Sequence, residues 1–272
     1  MKINGETKLI GFFGSTFRTS KMYTMYNAVF ENLGLNYIYV PFMVEDIKKG
    51  VEAIRNLGIH AVGVTIPFKI SIIEHLDELD EDAKRIGAVN VVINNNGKLI
   101  GGNTDGKGGV KALKEKTEVK NKKIILLGAG GAARALVFAL KDEGGKLTIL
   151  NRTVSEAKEL AKAVDCQSGG LEKLPELMST ADILINSTSV GMTPKNNQSI
   201  VDKKLLHNKL TVMDIVSNPR ETKLLRDAKA TGCQTVFADR MLLWQGVLKF
   251  EMYTGIKPSV EIMEKALQIT SH

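Results

Sequence analysis

Cysteine is nearly absent from this chain. Cys166 and Cys233 are the only two in 272 residues, and neither stands in a spacing that would bind zinc or run a dithiol cycle. A disulfide scaffold is excluded, no metal site is expected, and the pair reads as free thiols in a reducing cytoplasm. Long apolar runs are missing too: no stretch approaches the roughly 18 residues a membrane span needs. Met1–Phe13 carries Glu6 and Lys8 within any apolar stretch and does not read as a signal peptide. Repeats and low-complexity segments are lacking. So are blocks of like charge: the 37 basic and 30 acidic residues are interspersed. The net charge of +7 therefore does not point to nucleic acid, and a small anionic ligand accounts for its sign.

What remains is an ordinary globular composition, 43% hydrophobic and 25% charged, with enough length for two domains. The pattern alternates strands and helices. Leu9–Gly14, Tyr37–Phe42 and Ala61–Thr65 read as strands, with helices over Ser20–Leu33 and Val44–Leu57 between them. Helices are also predicted over Ile70–Asp77 and Glu81–Ile86. Val89–Ile93 and Lys98–Ile100 flank Asn96-Gly97, the strongest two-residue hairpin signal. Near residue 121 a second rhythm begins. Its strands are Lys123–Leu127, Leu147–Leu150, Ile183–Asn186, Thr211–Ile215 and Thr235–Phe237, and its helices are Ala132–Asp142, Ser155–Ala163 and Lys223–Thr231. Met241–Tyr253 and Ser259–Ile269 are helical with no strands of their own, so they are expected to return to the first domain. The fold class is α/β in two domains, the second a doubly wound Rossmann-type dinucleotide-binding domain. The joints fall near Asp105–Gly109 and Asp239.

Gly128-Ala129-Gly130-Gly131-Ala132-Ala133 follows a strand and opens a helix, the required context of the glycine fingerprint for a dinucleotide. Gly128 makes the tight turn, Gly130 lets backbone approach a pyrophosphate, and Ala133 permits close packing. The helix N-terminus, beginning at Gly131 and Ala132, supplies N–H donors and a partial positive charge. The second strand ends at Asn151-Arg152-Thr153, where enzymes that use NAD place an acid for the ribose hydroxyls. Arg152 suits a 2′-phosphate and favours NADP. Glu156, one turn on, argues for NAD. At an effective dielectric of about 20, a contact at about 4 Å gains roughly 4 kcal/mol per unit charge and a repulsion at about 8 Å costs roughly 2, so Arg152 should prevail.

With that turn in place, the chain resembles the shikimate dehydrogenase family, including its quinate/shikimate members. The resemblance is carried by Gly63–Lys69, Gly87–Asn90, Asn103–Gly106, Gly128–Ala133, Asn151–Thr153, Asn186–Met192 and Met241–Gly246, in shared order over nearly the whole length. It implies a substrate-binding and catalytic domain over 1–107, an NADP-binding domain over 108–238, and C-terminal helices over 239–272. It implies reversible, NADP-linked reduction of 3-dehydroshikimate to shikimate, within the biosynthesis of chorismate and aromatic amino acids. NAD remains possible, and quinate or an aminated shikimate analogue is the alternative substrate. Lys69 and Asp105 would be the acid–base pair; Ser20, Thr65, Asn90 and Gln245 would bind substrate; Thr188 would join the cofactor residues. Oxidising a secondary alcohol needs a base for the hydroxyl proton, and Lys69 lies just past a strand end, where open α/β sheets place ligands. Trp244, Met192, Met213 and Met241 could face a nicotinamide, but core packing is the first reading for any one of them. Two rivals stand: a dinucleotide-responsive binding protein without turnover, and another lysine-using Rossmann enzyme such as a folate dehydrogenase. A monomer or homodimer is expected.

Four positions depart from the family pattern: Thr19 for a histidine, Met22 for the second serine of the carboxylate-holding pair, Ser217 for a tyrosine and Arg240 for a glycine. They bear on the identity of the acid. Met22 removes a carboxylate donor, and Arg240 is a candidate replacement.

Overall fold

The computed structural model describes residues 3–15 and 21–269, apart from the side chains of Lys21, Gln268 and Ile269. Two compact units emerge, one formed by Met1–Thr104 with Gln245–His272, the other by Asp105–Trp244.

The first unit is built on six strands in the order β2-β1-β3-β5-β6-β4. These are β1 (Lys8–Gly14), β2 (Tyr37–Met43), β3 (Ala61–Val64), β4 (Glu78–Leu79), β5 (Val91–Asn95) and β6 (Lys98–Gly102). β1 runs parallel to β2 and β3, while β5 is antiparallel to β3 and to β6. All four residues of β3 are buried, which explains its unbroken apolar run. The β5–β6 turn is the predicted hairpin: Asn95 pairs with Lys98, and Asn96 and Gly97 take φ of 53° and 91°. Helix α1 spans Lys21–Asn32, and helices α2 (Ile47–Asn56) and α4 (Glu81–Ile86) begin and end where capping chemistry allows. Asp46 caps α2 by accepting from Lys48 and Lys49 N–H, and Asp80 caps α4 by accepting from Ala83 N–H at 2.6 Å. The helix predicted over Ile70–Asp77 is instead a four-residue α3 (Phe68–Ser71) followed by one 3-10 turn, Ile73–His75. Its apolar residues split between the core, where Ile72 is fully buried, and solvent, where Ile70 is 68% exposed.

The second unit is a wholly parallel six-stranded sheet, order β12-β11-β10-β7-β8-β9. Its strands are β7 (Lys123–Leu127), β8 (Lys146–Leu150), β9 (Gln167–Gly169), β10 (Ile183–Asn186), β11 (Thr211–Asp214) and β12 (Gln234–Val236). The order reverses between β7 and β10, which makes that edge the switch point where doubly wound sheets receive ligands. Helices α6 (Gly131–Asp142), α7 (Val154–Val164), α8 (Leu174–Met178) and α9 (Lys223–Ala230) cover the sheet. One apolar core includes Leu126, Leu136, Ile149 and Ile185, and a second includes Leu127, Leu150, Leu184 and Val212. Strand partners alternate between the two, as a sheet covered on both faces requires.

The two units divide within a few residues of the joints read from the sequence. The first joint lies between Thr104 and Asp105, because Asp105–Lys114 forms a helix, α5, in the second unit. Three glycines in that helix hide it from a propensity argument. Two of them serve packing: a β-carbon on Gly106 would overlap the Ala135 carbonyl oxygen, and one on Gly109 would overlap Leu136. The second joint lies between Trp244 and Gln245, inside α10 (Ala238–Thr254), not at 238. Met241 packs in the core of the second unit, whereas Tyr26 of the first packs on Phe250 and Tyr253. The last helix, α11 (Val260–Ile269), packs against α1. No helix among the described residues is long and apolar enough to cross a membrane.

Candidate active site

β7 delivers the chain to Gly128, whose φ of +108° is a conformation open to glycine. A β-carbon there would sit 2.8 Å from the Ser187 hydroxyl and 3.1 Å from a Thr188 methyl, so the turn lies flush against the loop that follows β10. Ser187 Oγ donates to Leu127 O at 2.6 Å, tying that loop to the end of β7. Gly130 is the N-cap of α6 and supplies no side-chain cap. The first N–H groups of α6 thus keep their capacity to donate to a ligand, with the positive end of the helix dipole behind them. Beside Gly130 and Gly131 there is open space: a β-carbon on either would meet nothing within 4 Å. Ala133 is fully buried. Uncapped donors, an open approach and a small buried residue together fit a pyrophosphate at this turn.

At the end of β8, Arg152 and Thr153 are exposed and Asn151 is half-buried. Asn151 Nδ2 donates to Glu156 Oε2 at 2.7 Å and to Thr153 O at 3.2 Å. Glu156 is therefore drawn back toward β8 by the very residue expected to help read the ribose. Thr188 closes the opposite side. Its N–H and hydroxyl both donate to Asn186 Oδ1, at 3.1 and 2.7 Å, and its hydroxyl accepts from Val190 N–H.

Lys69, Thr65 and Asn90 gather at one end of the first unit. Thr65 directly follows β3, and its N–H donates to Phe13 O. Lys69 sits half-buried on α3, its carbonyl accepting from Val89 N–H at 2.7 Å. Asn90 is fully buried; its carbonyl accepts from Val64 N–H. Its side-chain amide donates to Thr104 Oγ1 at 3.2 Å and its oxygen accepts from Thr104 N–H at 3.0 Å. The two strand ends and α3 are thereby fixed to one another. Asp105 is also buried, 5% exposed, as the first residue of α5 in the second unit. Gln245 is half-buried on α10, and its side chain forms no hydrogen bond among the described residues. Ser20 lies outside the described residues.

Of the four altered positions Thr19 lies outside the described residues, while Met22 and Arg240 have structural occupations. Met22 is 4% exposed, and a β-carbon on Gly246 would lie 3.5 Å from its sulfur. Met22 thus fills the close approach of α1 to α10. Arg240 forms a two-pronged ion pair with Glu115, Nε to Oε2 at 2.7 Å and Nη2 to Oε1 at 2.6 Å. Trp244 Nε1 also donates to Glu115 Oε1 at 2.7 Å. Burial pushes the Glu115 carboxyl upward, but these two donors and the charge of Arg240 outweigh it and hold the group below its ordinary range. The side of the guanidinium formed by Nε and Nη2 thus meets Glu115, which weighs against Arg240 as the replacement carboxylate donor. Met213 and Met241 are core, while Met192 is 47% exposed on the loop after β10.

Sequence reasoning missed Glu115, Thr104 and Asp214. The last is a fully buried carboxylate at the end of β11, accepting from Asn186, Val216 and Thr222. An acid inside an otherwise apolar strand was its available signal. Neither cysteine is a poised nucleophile, since burial pushes Cys166 up to about 11 and Cys233 upward. No cluster of three or more metal-type side chains occurs among the described residues.

Three family models cover the chain in order. The shikimate dehydrogenase substrate binding domain matches residues 12–92, shikimate / quinate 5-dehydrogenase matches 111–231, and the shikimate 5'-dehydrogenase C-terminal domain matches 240–268. The chain belongs to the shikimate dehydrogenase family. A shikimate dehydrogenase (NADP(+)) from Pyrococcus abyssi is 43% identical over 95% of this chain and 96% of its own. A crystal structure of a shikimate dehydrogenase in complex with NADP+ aligns at a TM-score of 0.94 and 40% identity, covering 100% of this chain and 98% of that one. Shikimate 5-dehydrogenase from Listeria monocytogenes, in complex with shikimate and NAD, aligns at 0.92 and 34% identity, covering 98% of each. The shikimate dehydrogenase fold, with its parallel dinucleotide-binding sheet, therefore extends over the full chain.

Proposed function

We propose that this chain is an NADP-linked shikimate dehydrogenase, reversibly reducing 3-dehydroshikimate to shikimate. The observation that carries the reading is the uncapped, open glycine turn Gly128–Gly131 at the switch point of a parallel sheet whose next strand, β8, leads to Arg152, in a chain matched by the family's models over most of its length. Gly128, Gly130, Gly131 and Ala132 would hold the pyrophosphate, Asn151, Arg152 and Thr153 the phosphorylated ribose, and Thr188 the strand-β10 side. When bound, the nicotinamide supplies hydride chemistry at the carbon bearing the hydroxyl.

The chain's own residues handle the proton and the orientation. Lys69 Nζ takes the proton from the substrate hydroxyl in oxidation and returns it to the carbonyl oxygen in reduction, with Asp105 as its acid–base partner. Lys69 is supported by its half-buried place just past β3, Asp105 by its burial at the start of α5. Thr65, Asn90, Gln245 and Ser20 orient the ring hydroxyls and carboxylate, since amides and hydroxyls can both donate and accept. A binding protein without turnover would need neither Lys69 nor Asp105. A reducing compartment such as the cytoplasm, in which free cysteines persist, completes this reading.

The test is a panel of shikimate, quinate and an aminated shikimate analogue with NADP and with NAD, read by absorbance of the reduced nicotinamide. Turnover of shikimate with NADP well above the other pairs is the expected result. Absence of turnover with every ring acid overturns the reading.

A further inference from the structure

A carboxylate that no water reaches is held among three donors at the end of β11. Asp214 is fully buried, and no Lys or Arg among the described residues neutralises it through a hydrogen bond. Burial pushes its carboxyl upward, and its hydrogen bonds from Thr222, Val216 and Asn186 only partly offset that. Stability alone gives little reason for a buried, unneutralised acid at such a place. Its partners border or lie on two loops. Asn186, at the end of β10, donates to Oδ1 at 3.0 Å; Val216 N–H donates to the same oxygen at 3.1 Å; Thr222 Oγ1 donates to Oδ2 at 2.6 Å. The first loop is 187–193 and the second 215–222. At their rims they meet again, Thr193 N–H donating to Asn218 O at 2.9 Å.

From Asp214 the bonding continues to the glycine turn. Asn186, anchored by Asp214, turns its own oxygen to Thr188 N–H and Oγ1 and its amide also to Val190 O. Thr188 and Ser187 in turn abut Gly128. In a doubly wound sheet a dinucleotide lies across the switch point. With the phosphorylated adenosine assigned to the end of β8, its other half falls to the ends of β10 and β11, the two loops that Asp214 joins.

We propose that Asp214 is a positioning residue that shapes the loops after β10 and β11 to receive the nicotinamide half of the cofactor. This rests on the cofactor reading above. It does not touch the cofactor; it acts through Asn186, Thr188 and Thr222.

The experiment compares NADPH with adenosine 2′,5′-bisphosphate, which carries only the phosphorylated adenosine half. Binding is titrated against the wild type, Asp214→Leu, Asp214→Asn and Thr222→Val. In Asp214→Leu, NADPH should bind about tenfold or more weakly, the size expected when a hydrogen bond to a charged group is lost. The adenosine bisphosphate should stay within about twofold. Asp214→Asn keeps an oxygen for Asn186 and Val216 and should fall between wild type and Asp214→Leu. In steady state the Michaelis constant for NADPH should rise, with that for the ring acid little changed. Should Asp214→Leu fail to fold, Thr222→Val removes one of the three bonds and should show the same split in smaller measure. Equal weakening of both ligands, or unchanged NADPH binding in a folded variant, overturns the proposal. A wild type that binds neither ligand overturns the cofactor reading itself, and this with it.

Discussion

Glu156→Gln should raise the preference for NADP over NAD. The side chain accepts from Asn151 Nδ2 at 2.7 Å, next to the arginine expected to meet the 2′-phosphate. Both Arg152 and Glu156 are exposed, so the effective dielectric between such groups and a ligand approaches that of water. Taking about 60, a carboxylate about 8 Å from a phosphate of charge about −1.5 to −2 opposes it by roughly 1–1.4 kcal/mol, which is about five- to tenfold in affinity. Glutamine keeps an oxygen for Asn151 and removes only the charge. NADH has no 2′-phosphate to repel, and a carboxylate can accept from its ribose hydroxyl, so its binding should hold steady or weaken slightly. The assay is fluorescence titration of NADPH and NADH against wild type and variant at low and high salt. Screening at a Debye length of about 3 Å in 1 M salt should erase most of the gain. If the two cofactors change by the same factor, or NADPH weakens, Glu156 acts through the Asn151 bond alone and the charge argument is wrong.

Lys69→Ala should lower turnover by about 10²–10⁴-fold with NADPH affinity nearly unchanged, and Asp105→Asn should behave alike; over a tenth of wild-type turnover in the folded Lys69 variant removes it from the chemistry. Met22→Ser should chiefly destabilise, by about 2–4 kcal/mol in urea denaturation, because a buried side chain beside Gly246 is replaced by a smaller polar one. A stable Met22→Ser variant with a much lower Michaelis constant for shikimate would instead restore the carboxylate explanation. Arg240→Ala should lower stability, not raise the Michaelis constant for the ring acid. Because Arg240 and Trp244 hold Glu115 below its ordinary value of 4.5, the difference from wild type should be full above that pH and shrink as pH falls through the depressed value. Denaturation curves from neutral to acid pH measure it, and a pH-independent difference would refute the linkage.

The alternating pattern was legible because the central strands β7, β10 and β11 are buried on both faces, so period and length separate them from the helices, whereas the short edge strand β9, with Gln167 exposed, was not read. The Asn96-Gly97 hairpin was legible because two successive positive φ angles demand those residue types. Helix α5 was not. Gly106, Gly108 and Gly109 lower its intrinsic propensity, and what restores it is contact with Ala135 and Leu136, about thirty residues away in sequence. The second joint was misplaced for a related reason. α10 is one unbroken helix, and nothing in its local sequence marks Trp244–Gln245 as the point where its packing partners change.

The site divides along the same physical line. Glycines and the end of a strand announce a phosphate turn locally, since backbone geometry and helix dipole act within a few residues. An arginine announces only a charge. Arg240 could as well have met a ligand carboxylate as a protein one, and its actual partner, Glu115, is 125 residues distant in sequence. Asp214 poses the inverse problem. In Thr211–Ile215 it interrupts an apolar strand, which says that the acid is buried and must be bonded, but not to what. Its three donors come from the end of β10, the start of its own loop and the cap of α9, and only the fold brings them to one carboxylate. A buried acid in a strand beside a switch point is therefore a sequence-level sign of loops that need holding, and the elements it holds can be named once the strand order is known.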